Sequence, residues 1–146
     1  MLRLKNNLSY PAFVTLLTRF ILGPLMLQFG LSKVARYSVT VDRLRGGFVE
    51  TWLPMKLVTA VAWVIPAWET AIGALLLLGL WYRWGLIAMG ALLVVLTFGL
   101  VVQGAGDVVA QNLLYVLLLF FAYKQSESNP FSLDSLLRSR RGTLAD

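Results

Sequence analysis

Glu69 lies near the middle of an apolar run from Leu57 to Leu80, long enough to cross a bilayer at the helical rise of about 1.5 Å per residue. A carboxylate at that depth costs about 2.5 to 3.5 kcal/mol on insertion-derived scales, so it needs a partner or a task inside the membrane. The matching candidate is Arg19, the only basic residue well inside another apolar run. Helix phase brings Ala12, Thr15, Gly23, Met26 and Gly30 round to the Arg19 face, and Ala62, Pro66 and Gly73 round to the Glu69 face. Both charges therefore point towards helix contacts rather than lipid. Measured from the ends of the runs nearest the chain termini, Arg19 lies about 10 Å deep, and Glu69 and Asn112 about 16 Å. Arg19, Glu69 and Asn112, with Gln111 or Tyr115 beside them, are expected to share one polar layer.

Three kinds of chemistry suit such a layer. It can be interhelical glue, contributing about 0.6 kcal/mol per hydrogen bond. It can hold a ligand headgroup, which the backbone groups freed by Pro66 next to Glu69 would favour. Or it can pass protons or ions, although a single carboxylate shows no relay. Trp63 and Trp68 could stack on a quinone or another planar ligand, or simply pack. Lys33, near the Arg19 face at the far end of its run, could receive an anionic group or snorkel to the headgroups.

The elements that position these residues are membrane spans. With 58% hydrophobic and 14% charged residues in 146 and a mean hydropathy of +0.74, the chain has more apolar surface than a soluble domain can bury. We expect spans over about 12–31, 57–80, 85–102 and 107–123, a tail over 124–146, and one domain over 1–146. The fold class is then all-α: an integral membrane four-helix bundle with short turns between its last three spans. Arg3 and Lys5 precede the first span as in a signal peptide, but Arg19, Pro24 and Gln28 interrupt it and no small-residue cleavage site follows, so it is kept as a mature helix. The third span carries no charge and has the character of a scaffold. The long connection after the first span contains Gly46-Gly47 and then the stretch from Phe48 to Pro54. That stretch suggests an interfacial or re-entrant segment, or else a surface loop anchored by Trp52. Ser132 can cap a short C-terminal amphipathic helix through Leu133, Leu136 and Leu137.

The chain has no Cys and no His, so no cofactor can be held through those residues, and any redox role needs a diffusible carrier such as quinone or a partner's cofactor. Its net charge of +6 surrounds membrane spans, which favours anionic lipid headgroups over nucleic acid. Counting Lys and Arg outside the spans gives seven on the side of the termini and five opposite, so the termini are expected in the cytoplasm. Expected partners are membrane lipids and other membrane or peripheral subunits, or further copies of the chain.

Arg19, Gly23, Gly30 and Lys33 stand in the frame R-x3-G-x6-G-x2-K, followed by Pro66-x2-Glu69-x3-Gly73, Leu78-Gly79-Leu80, Arg83, Asn112-Leu113 and the tail from Asn129 to Asp134. In that order the motifs resemble the DoxX family of small four-helix membrane proteins. The resemblance implies a bacterial or archaeal cytoplasmic membrane and, from the wider DoxX and DoxD grouping, subunits linked to thiosulfate:quinone oxidoreduction or to oxidative-stress complexes. On that analogy Arg19, Glu69 and Asn112 would lie near a quinone headgroup. Beside this accessory-subunit reading stand a purely structural membrane subunit without ligand and, third, a small transporter.

Overall fold

A computed structural model describes residues 10–126. Five helices and no strand are present among the described residues: α1 (Tyr10–Val34), α2 (Tyr37–Gly46), α3 (Met55–Leu78), α4 (Tyr82–Val102) and α5 (Gly106–Lys124). All but α2 are long and apolar enough to cross a membrane, and the chain is an integral membrane protein. The amphipathic helix expected from Ser132 lies outside the described residues.

Glycine sets the main helix contact. A Cβ on Gly23 would stand 2.9 Å from the Leu77 nitrogen, and Cβ atoms on Gly30 and Gly73 would enter the backbones at Thr70 and Leu27. Without side chains at these three positions α1 and α3 pack backbone to backbone, as small residues allow between membrane helices. The pairings 23 with 77, 27 with 73 and 30 with 70 also show that the two helices run antiparallel. On the other faces α3 meets α4 and α2, and α4 meets α5, around a core of Leu22, Met26, Ile72, Leu76, Leu86, Met89 and Leu92. α5 buries only Asn112 and Ala122.

The α3–α4 turn is built on Gly79, whose φ of 66° is the left-handed value that glycine adopts without penalty. Its amide and that of Leu80 donate to the Leu76 and Leu75 carbonyls, closing the end of α3. Around this turn Trp81 and Trp84 are exposed, but Tyr82 turns inward and shares a 3.0 Å hydrogen bond with Thr18.

In the connection after α1 the helix is α2, over Tyr37–Gly46, earlier than the expected interfacial segment, and residues 47–53 form turns, as in the alternative of a loop. The Gly46-Gly47 pair ends the helical run before the apolar stretch begins, because glycine gives up the most backbone freedom in a helix. The stretch from Phe48 to Leu53 then acts as a cap: Phe48 is buried, and Trp52 meets the edge of the Phe98 ring at 6.5 Å between centroids.

Candidate functional site

Glu69 is where polar chemistry enters the α1–α3 seam. Gly30 lets α1 run against α3 at Thr70, so one turn later Lys33 leaves the end of α1 beside the middle of α3. Its Nζ lies 2.5 Å from Glu69 Oε1. The Glu69 side chain is 3% exposed and that of Lys33 32%, so the carboxylate is inside the protein and the ammonium forms its outer wall. A cation in the last turn of α1 is also favoured by the negative end of the helix dipole. The start of α2 folds over this point: Thr40 Oγ1 donates to the Lys33 carbonyl at 3.3 Å, the Tyr37 hydroxyl donates to the Trp63 carbonyl, and the two rings lie 4.9 Å apart.

The second carboxylate oxygen, Oε2, is buried and has no hydrogen-bond partner among the described residues. An ionised carboxylate has acceptor capacity on both oxygens, and an orphaned buried acceptor costs about 1 to 3 kcal/mol. Four residues earlier than Thr70, Pro66 has no N–H to give the Ala62 carbonyl, while its own carbonyl accepts from Thr70 Oγ1 at 2.8 Å. This arrangement can hold an ion pair and accept one further N–H or O–H donor at Oε2.

Arg19 does not join it. The expected Arg19–Glu69 pair is replaced by Lys33–Glu69, and helix register is the reason. With Leu27 opposite Gly73, Glu69 is level with Leu31, twelve residues (31 − 19) from Arg19, or about 18 Å along the axis. Arg19 instead sits at the C-terminal end of α3, where Nε donates to the Leu76 carbonyl at 3.2 Å and an Nη to the Leu77 carbonyl at 3.0 Å. Those carbonyls belong to the last turn, at the negative dipole end, where the Leu76 carbonyl also accepts the Gly79 amide, so the buried guanidinium adds to the cap of α3.

The rest of the expected layer is dispersed as well. Asn112 is buried and donates through Nδ2 to Thr97 Oγ1 at 3.2 Å, tying α5 to α4 rather than to Glu69. Gln111, its neighbour, is exposed. Tyr115 and Trp68 are half-buried against the apolar core. Sequence reasoning missed Tyr37 and Thr97. Tyr37 was legible only as the residue one turn beyond Lys33, and Thr97 as the one hydrogen-bonding side chain in a run that otherwise has the character of a scaffold. Among the described residues no three His, Cys, Asp or Glu side chains gather as metal ligands.

A family model described as methylamine utilisation protein MauE matches residues 11–111, from the first turn of α1 into α5. No curated protein and no solved structure matches the chain. The likeness to DoxX is thereby corrected, since the family that matches is a different one. Its motifs are short, and packing alone accounts for much of them: Gly23, Gly30 and Gly73 make the α1–α3 seam, and Arg19 caps α3. The thiosulfate and oxidative-stress associations implied by that likeness fall with it.

Proposed function

The chain belongs to the MauE family, and from that premise we propose that it is an integral membrane accessory component of a methylamine-utilisation system, acting with other proteins. At the Lys33–Glu69 site it takes the headgroup of an amphipathic ligand, a lipid or a quinol, whose O–H or N–H donates to Glu69 Oε2 while an acceptor on the same headgroup meets Lys33. The observation that carries this reading is the buried oxygen without a donor beside a lysine that reaches the surroundings. A pair that served only to neutralise itself would gain by satisfying both oxygens. The absence of Cys and His suits a component whose chemistry is carried by its partners.

A second reading, a structural subunit without ligand, draws on α5, whose long apolar surface is left to lipid or a partner. Small molecules that co-purify with the protein, measured by native mass spectrometry at matched stability, separate the two. Glu69→Gln should lose the ligand because the amide donates at one atom and accepts at only one, whereas Asn112→Leu, in the α4–α5 contact, should keep it. Equal ligand content in wild type and both variants would leave the structural reading.

A further inference from the structure

A cavity of about 140 Å³ lies between α3 and α4 under the cap that follows α2. Its outer end is lined by Leu44, Phe48 and Leu53, and its walls are the Val58, Ala62 and Ile65 face of α3 against Val95 and Gly99 of α4. From Leu57 to Ile65 it follows nine residues of α3, about 12 Å of helix. It is therefore a slot running inward from the loop side of the molecule. Among the described residues, Gln103, at the mouth, is the only lining side chain that can hydrogen-bond. An apolar cavity of about this size stays dry and admits a benzene-sized hydrocarbon, so its guest is a length of chain without polar atoms.

The rim supplies the other half of a recognition site. Leu44 stands between Arg43 and Arg45, and Leu57 follows Lys56; all three cations are exposed or half-exposed. On this side of the molecule the exposed acids Asp42, 3.9 Å from Arg45, Glu50 and Asp107 are outnumbered by the exposed Arg36, Arg43, Arg45 and Lys56, so positive charge is in excess near the mouth. On α2 the inward face carries Val41 and Leu44 while the arginines face out, the pattern of a helix that lies along a headgroup layer. We infer that the slot binds one acyl chain of an anionic phospholipid, with the phosphate held by Arg43, Arg45 and Lys56. The site is separate from Lys33–Glu69: neither residue lines the slot, and the two are paired with each other.

Charge at the rim and shape in the slot are tested by different variants. The delipidated full chain in detergent is titrated with dioleoyl phosphatidylglycerol and, separately, with dioleoyl phosphatidylcholine, and lipid adducts are read by native mass spectrometry. We expect one saturable phosphatidylglycerol per chain and weaker phosphatidylcholine binding. Val61→Phe and Val95→Phe, which put a ring into the slot from either wall, should each weaken phosphatidylglycerol binding by about tenfold. Arg43→Gln with Arg45→Gln leaves the slot intact and should bring the two lipids to within about threefold of each other by removing headgroup attraction. Equal binding of both lipids to wild type overturns the inference, as does undiminished binding to a Phe variant that melts like wild type. If both Phe variants misfold, the exposed arginine pair decides, and a double variant that keeps its preference for phosphatidylglycerol overturns the assignment.

Discussion

Lys33 and Glu69 should depend on each other, and a double-mutant cycle measures how much. Lys33→Met removes the ion-pair partner of a carboxylate whose side chain is 3% exposed. Removing one member of a fully buried pair costs about 3 to 5 kcal/mol. Because Lys33 is about a third open to its surroundings, its loss should cost less, about 2 kcal/mol. Glu69→Leu should cost about 2 to 3 kcal/mol by stranding the ammonium and losing the seam contact. The double variant should then fall short of the sum by about 1 to 3 kcal/mol, since neither charge remains to be left unpaired. The assay is equilibrium unfolding in mixed micelles, with identical detergent composition for all four proteins. The Arg19→Met and Glu69→Leu pair supplies the control: about 18 Å apart in register, the two should add to within about 0.5 kcal/mol. Additivity for Lys33 with Glu69, or coupling for Arg19 with Glu69, would refute the register derived from the glycine seam.

Gly73→Ala should be strongly destabilising, by about 1 to 3 kcal/mol, because its methyl would enter the α1 backbone at Leu27, while Gly46→Ala, with open space around it, should be neutral in the same unfolding assay. Arg19→Gln should cost about 1.5 to 3 kcal/mol by loosening the end of α3, and Arg19→Lys less, since it keeps the charge but not the two-pronged geometry; hydrogen exchange at Gly79 and Leu80 should be fastest in the Gln variant and intermediate in the Lys variant. Reporter fusions at Asp146 and Gly46 should report opposite sides, with Asp146 in the cytoplasm, in keeping with the excess of Lys and Arg beside the termini; both on one side would undo the count of four spans.

What the sequence determined by itself is what is local to each segment. Four helices arise from four apolar runs because bilayer-length hydrophobicity is a property of consecutive residues, and Glu69 stands out as a polar position because a charge inside such a run is costly whatever its neighbours are. The small-residue faces of α1 and α3 were equally visible, since helix phase needs only spacing. Tertiary structure alone decided which cation meets that carboxylate. Depth counted from the ends of hydrophobic runs placed Arg19 within reach, but backbone contact at Gly30 and Gly73 slides α1 along α3 until Lys33 is the neighbour, and Arg19 is carried to the carbonyls at the end of α3. The same holds for Asn112, whose partner Thr97 is chosen by the α4–α5 contact. Register between two helices is set by how two surfaces interlock, and neither surface contains that information without the other.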